Sequence, residues 1–477
     1  MPPRIALIVF LGFIGWLFVR DLKRRSLVSS AIYIPLLWMV ILGSRPVSIW
    51  FGGGVSMQST DDYLEGSPFD RMVFLFLILA GAVVLLRRRV NWKALAANNK
   101  WFLAFTLFWG LSVLWSDYSM VAFKRWIKDL GHIVMVLIIF TEKDPVEATK
   151  ALFSRCAYVL VLLSVLFIKY FPDLGRFYNR WTWEMMYTGI TLEKNALGNT
   201  ALICGLFLFW EWLDLWDRKG KRLLQIDLAN YSLLLLMVVW LLIMAHSSTS
   251  IACAILGAGL LLAVRLQVVK ANLKRLELYG CAAALLFVVL QGLFDIKAAV
   301  VEGLGRDMTL TGRTDLWKEL VHANINPLLG EGFYTFWLTD VANAICENYY
   351  WHPNQAHNGY LDTYLNGGLL GFGLLCGLLV VTARHVKKDL MRGTGLGALG
   401  LAILLVSITC NWTEAIFNKM SLGWFALVLV IVNYPTVTAR RIATQAQGSR
   451  LKGDTSEPRS PQFVELDATR PGSSFAR

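Results

Sequence analysis

Apolar stretches of about 15–22 residues recur along almost the whole chain, and no other feature limits its possible folds as strongly. About 20 residues of helix cross a bilayer. Inside hydrocarbon every backbone polar group must be bonded within the protein, so stretches of this kind become helices. About thirteen can be marked, near residues 5–19, 27–43, 71–86, 101–115, 126–140, 151–170, 197–213, 228–245, 250–264, 278–296, 359–383, 395–410 and 421–434. Composition agrees: 56% of the 477 residues are hydrophobic, and the 19 Trp suit membrane interfaces. The pattern predicts an all-α, polytopic integral membrane protein with about 12–13 transmembrane helices.

The formal charge of +13 does not point to nucleic acid, because the cations sit in short loops between apolar segments. Arg20, Lys23, Arg24 and Arg25 fill one such loop, and Arg87, Arg88, Arg89, Lys93 and Lys100 another. Further basic loops hold Arg218 to Arg222, Arg265 to Arg275, and Arg384 to Arg392. The positive-inside rule puts these in the cytoplasm and puts 44–70, 171–196, 297–358 and 411–420 outside. One pair of loops resists this assignment: 116–128 should be external yet carries Lys124, Arg125 and Lys128, while 141–150 should be internal yet has only Lys143 and Lys150. Either the topology slips there or the external cations have a purpose. A twelve-helix version would need one weak segment not to span, and the first, 5–19, is the weakest. The seven Cys show no metal spacing or disulfide framework. The expected organisation is N-terminal transmembrane helices over 1–296, a long external loop over 297–358, C-terminal transmembrane helices over 359–434 and a cytoplasmic, disordered tail over 435–477.

The external loop 297–358 is far longer than the others, and its many apolar residues, among them Leu316, Trp317, Leu320, Phe333, Phe336 and Trp337, predict a folded segment. It ends in His352-Pro353-Asn354-Gln355-Ala356-His357-Asn358-Gly359-Tyr360-Leu361, leading straight into an apolar helix. A His at that place can exchange a proton near neutral pH, and an Arg in a nearby turn, Arg313, can grip phosphate with a planar fork of donors. Residue types alone also admit a plain helix cap or a headgroup contact. His352 and His357 find no Cys or carboxylate in the sequence to complete a metal site, so no metal and no cofactor are expected.

Four elements then occur in order: Gly312-Arg313 with Leu316-Trp317, Pro327-Leu328-Leu329-Gly330-Glu331-Gly332, Ala356-His357-Asn358-Gly359-Tyr360-Leu361, and Gly368-Leu369-Leu370-Gly371. In this order and setting they resemble the O-antigen ligase and polysaccharide polymerase superfamily, most of all its succinoglycan-type exopolysaccharide polymerases. Lys194-Asn195-Ala196-Leu197-Gly198 and Trp115-Ser116-Asp117 are similar to further elements of that family. The resemblance implies a metal-independent glycosyltransferase of the bacterial inner membrane, acting at its periplasmic face. An undecaprenyl-diphosphate-linked oligosaccharide would be attacked at its anomeric carbon by a hydroxyl of the next repeat unit. On this reading His357 and Arg313 are catalytic, and Lys194, Asn195, Arg125, Asn358, Tyr360 and Glu414 bind substrate. Membrane lipid, a flippase and a chain-length regulator are the implied partners; nucleic acid is not one.

The chain departs from the family where a Ser-Arg pair is common: it reads His246-Ser247-Ser248-Thr249-Ser250, with no Arg. Glu414, in Asn411-Trp412-Thr413-Glu414, resembles the family's Thr-Glu element and could orient His357 or Arg313. Two alternatives stay open. A ligase would use the same donor chemistry on a lipid acceptor. A transporter or flippase would need ionisable residues in mid-helix, and the apolar segments read as nearly free of charge.

Overall fold

In a computed structural model, residues 1–52, 67–88, 90–178, 183–217, 222–275, 313–349, 351–393 and 395–434 are described, those at 222–224 by backbone alone. The chain divides into two units, Met1–Tyr434 and Pro435–Arg477, and the second lies outside the described residues. In chain order the helices that matter below are α1 (Pro3–Arg24), α2 (Tyr33–Leu42), α3 (Pro68–Arg87), α4 (Lys100–Leu111), α5 (Ser119–Phe140), α6 (Pro145–Tyr170), α7 (Lys194–Asp217), α8 (Arg222–Ala245), α9 (Ser248–Ala263), α10 (Arg313–Val321), α11 (Asp340–Glu347), α12 (Gly359–Met391), α13 (Gly397–Cys410) and α14 (Leu422–Ile431). Strand is confined, among the described residues, to an antiparallel pair, Arg176–Tyr178 with Met185–Tyr187.

Six helices, α1, α3, α6, α7, α8 and α12, are long and apolar enough to cross a membrane, α8 through its part Gln225–Ala245. Shorter apolar helices supply α2, α4, α9, α13 and α14. The chain is an all-α polytopic membrane protein, as its hydropathy requires. Each expected apolar segment coincides with one of these helices or with α5, except 278–296, which lies outside the described residues, as do 297–312 of the long loop. Helix α1 runs for 22 residues, beyond the expected 5–19, so it is not the weak segment its sequence suggested. It continues through Arg20 and Asp21 because their charges find partners in other helices.

Those partners form a network that the sequence did not announce. Glu211, fully buried in α7, receives Arg25 Nη2 at 2.8 Å, Arg24 Nη2 at 3.0 Å and Lys150 Nζ at 3.1 Å. Asp21 takes Arg155 Nε at 2.7 Å and pairs with Arg25. Lys150 also reaches Asp214 at 2.7 Å. Loss of one member leaves the others charged and buried, which costs far more than the intact network contributes. We therefore expect Glu211→Gln to lower stability by about 3–5 kcal/mol. Thermal unfolding of the purified protein measures this, and an unchanged midpoint would refute the network's role.

The network fixes the sense of the helices. It joins the end of α1 to the start of α6, the end of α7 and the start of α8. Asn195, at the start of α7, lies about 24 Å away along that helix, at 1.5 Å per residue. The ends of α2 and α13 and the starts of α3, α5, α7, α9 and α14 gather around one cavity at this other end, so the alternation of ends is unbroken through α5. The ambiguous pair of loops thus involves no slip: Arg125 and Lys128 stand at the cavity end because they line the cavity.

The long loop is folded where described. Leu316 and Leu320, one turn apart on α10, pack with Phe336, Trp337, Ala342 and Ala356 into a small core that also takes Leu365 of α12. Two of the motifs explain how it docks. Glu331 and Gly332 donate their N–H groups to Leu365 O and Asn366 O, at 3.2 and 2.9 Å, while Leu369 and Leu370 donate to Pro327 O and Leu328 O, at 2.9 and 3.1 Å. Gly330 and Gly368 both have positive φ, 66° and 59°, and a Cβ on either would run into the opposing backbone. Only glycine meets both demands. Gly368 also interrupts the helical backbone of α12, which frees the groups that bind the loop.

Candidate active site

The N-terminus of α12 sets the position of His357. Asn358 Oδ1 accepts the N–H groups of Tyr360 and Leu361, at 3.0 and 3.1 Å, capping the helix. Ala356 is fixed from both sides: its N–H donates to Asp362 Oδ1 at 3.0 Å, and its carbonyl accepts Trp317 Nε1–H at 2.7 Å. Between these anchors His357 takes φ of 50°, an uncommon left-handed conformation for a side-chain-bearing residue. The segment is thereby turned out of the helix, and the Trp351 ring packs against the imidazole with centroids 5.9 Å apart.

The loop 411–420 brings up the other wall. Asn411 Oδ1 accepts the N–H groups of Ile416 and Phe417, at 2.8 and 3.1 Å, closing the loop on itself. Gly359 N–H donates to Asn411 O and Glu414 O, at 2.8 and 3.0 Å, which ties the loop to the start of α12. Glu414 then faces both expected catalytic residues. Its Oε2 is 3.8 Å from His357 Nδ1, and its Oε1 is 3.7 Å from Arg313 Nη1. These are electrostatic contacts longer than hydrogen bonds. Arg313, the first described residue of α10, also donates to the carbonyl of Thr413. Residues distant in sequence, 313, 357 and 414, therefore meet as one cluster.

Enclosure controls the charges. Burial pushes the His357 imidazole below its usual 6.5; Glu414 opposes this, and the positive charge of Arg313 adds to it. The ring is neutral at pH 7 and able to accept a proton. For Glu414 burial acts upward, but His357, Arg313 and Lys419 together hold its carboxyl below the usual range. Glu193, next to α7, is raised by burial and by the charge of Glu414.

A cavity of about 560 Å³ opens beside this cluster. Of the expected substrate-binding residues, Arg125, Asn195 and Glu414 line it. Lys194 opens α7 one residue away and is not among the lining residues. Asn358 acts as the helix cap, and Tyr360 donates its hydroxyl to Ile408 O at 2.9 Å, so both serve to hold the site together. Arg125 donates to the carbonyl of Tyr334. His246 is exposed at the start of α9, where Ser247 caps the helix.

Sequence reading missed several lining residues: Arg71, Glu193, Asn199, Asn418 and Lys419. Lys128, noted only as an anomalous external cation, lines it too, with Nζ 5.4 Å over the Phe74 ring. Lys419 joins two segments of the site. Its Nζ reaches Gln355 Oε1 at 2.6 Å and Asp362 Oδ2 at 3.3 Å, binding the His357 segment to the 411–420 loop. The available signal was a cation and two amides, Asn411 and Asn418, in a loop ten residues long between apolar helices.

With these positions known, comparison with other proteins has a definite content. Residues 232–376 match the family model described as O-antigen ligase, Wzy_C, a span that includes Arg313 and His357 but not Arg125, Asn195 or Glu414. The chain is similar to the exopolysaccharide production protein ExoQ of Rhizobium meliloti (strain 1021), with 27% identity over 308 residues, 62% of this chain and 67% of that protein. Residues 232–376 are therefore similar to the O-antigen ligase family, and 62% of the chain is similar to a protein of exopolysaccharide production.

Proposed function

We propose that this protein polymerises exopolysaccharide repeat units, moving a growing glycan from undecaprenyl diphosphate to a hydroxyl of the next lipid-linked unit at the periplasmic face of the inner membrane. The observation that supports this most is the meeting of His357, Glu414 and Arg313 beside a cavity lined by Arg71, Arg125, Lys128 and Lys419. The acceptor oxygen forms a bond to the anomeric carbon as the bond from that carbon to the phosphate oxygen breaks. The acceptor proton passes to His357, and both electrons of the broken bond leave with the diphosphate. Glu414 at Nδ1 favours a proton on that nitrogen, which leaves Nε2 as the base and steadies the imidazolium that forms. Arg313 and the cavity cations stabilise the charge that collects on the leaving diphosphate, in a low-dielectric setting where fixed charges act strongly. Protein cations carry this task in the proposal, so the reaction is metal-independent. A flippase would deliver the lipid-linked unit and a chain-length regulator would act on the product.

The family description favours a second reading, a ligase with the same donor chemistry and a lipid acceptor. One assay separates them. Purified protein supplied only with lipid-linked repeat units should yield a ladder of products, with the same rate in the presence of chelator. Products that appear only when a lipid acceptor is added would establish the ligase instead. Loss of activity with chelator would overturn the metal-independent step.

A further inference from the structure

The cavity holds a second set of polar groups that the transfer step does not use. Asn195 and Asn199 stand four residues apart on one face of α7, Asn354 and Gln355 precede His357, and Asn418 sits in the 411–420 loop; all five residues line the cavity. Asn418 is only 5% exposed, yet both of its amide atoms, Oδ1 and Nδ2, are buried without a hydrogen-bond partner among the described residues. Asn199 Oδ1 is buried in the same condition. A buried polar atom left unpaired is costly, and protein interiors seldom tolerate it. Two such amides on residues that line one cavity therefore point to a ligand that completes them.

The missing partner can be specified. A diphosphate only accepts hydrogen bonds, so it could serve an amide N–H group but not the orphaned carbonyl oxygen of Asn418. Interchanging the oxygen and nitrogen of Asn418 changes nothing, since both of its atoms are unpaired. The ligand has to donate as well as accept, which a sugar hydroxyl does and a phosphate does not. Asp129, Glu193 and Glu414 also line the cavity and offer further acceptors. The cations Arg71, Arg125, Lys128 and Lys419 are available for the phosphates.

We infer that Asn199 and Asn418, with Asn195 beside them, form a subsite that reads the hydroxyl groups of a pyranose in the lipid-linked glycan, distinct from the cations that hold its diphosphate. The inference rests on the lipid-linked glycan reading above. It assigns sugar specificity to the start of α7 and to the 411–420 loop, two segments outside the span matched by the family model.

The test uses equilibrium binding to the full chain in lipid nanodiscs with two probes: lipid-linked repeat units extracted from a strain lacking this protein, and undecaprenyl diphosphate bearing no sugar. Asn199→Ala removes one amide. Asn418→Gly removes the other while keeping a residue suited to its φ of 55°, so the loop can still fold. Each variant should weaken the glycan-bearing probe about tenfold, the loss of one or two hydrogen bonds, and leave the bare carrier within about twofold. A wild-type preference for the glycan that survives both substitutions would overturn the inference alone. Equal wild-type binding of the two probes would overturn it together with the reading on which it rests. Equal weakening of both probes by either variant would show that the amides serve the diphosphate or the fold, and would also overturn it.

Discussion

His357→Ala is expected to stop polymer formation, reducing the rate by about 100- to 10,000-fold, while single repeat units accumulate on the lipid carrier. The magnitude is that of a lost general base. Folding should survive, because His357 Nδ1 makes no hydrogen bond and the segment is anchored by Ala356 and Asn358 on either side. One complication is the backbone: φ of 50° is uncomfortable for Ala. His357→Asn is the cleaner companion, since Asn tolerates this conformation and still cannot act as a base near neutral pH. Both variants should insert into the membrane and melt near the wild-type temperature. Polymer of normal length and amount from His357→Asn would sink the catalytic role, whatever the alanine variant does.

The membrane architecture was legible because one physical rule dominates it: apolar stretches of spanning length have to be helices. Most of the boundaries followed, and so did the four ordered motifs. What those motifs do was less legible. Gly330 and Gly368 stand in the sequence as members of two ordered motifs, and their use is a backbone-to-backbone seam between the long loop and α12, which pairs residues about 40 positions apart. Asn358 and Tyr360 follow His357 in the third motif, and the resemblance implies substrate contact for them; the hydrogen bonds their side chains make lie at the start of α12. The charged network went unseen for a related reason. Arg155 and Glu211 fall inside apolar segments and Asp21 just beyond one, and only the packing of α1, α6 and α7 brings them and their partners into one network. The same blindness hid Asn418 and Lys419, whose importance depends on the cavity they enter. A one-dimensional pattern reports hydropathy period well; it cannot report which distant side chains a fold will bring face to face.

The electrostatic roles of Arg313 and Glu414 lead to opposite signatures, which makes them separable from general damage. Because the base must be neutral, activity should fall as pH drops through the His357 pKa, with a midpoint below the ordinary 6.5. Glu414 favours the protonated ring, so Glu414→Gln removes a charge that raises the pKa and should shift this acid limb to still lower pH. Arg313 disfavours the protonated ring, so Arg313→Gln should shift the limb upward. Arg313→Gln should also lower the maximal rate by about 100- to 1,000-fold, as expected when a donor to developing transition-state charge is lost. Arg313→Lys keeps the charge and loses the fork, so the limb should stay near its wild-type position while the rate still drops, by less than for Gln. Full pH–rate profiles of the three variants on lipid-linked repeat units measure all of this at once. Shifts of the same sign for Glu414→Gln and Arg313→Gln would mean that the limb reports some other group, and His357 would lose its assignment as the titrating base.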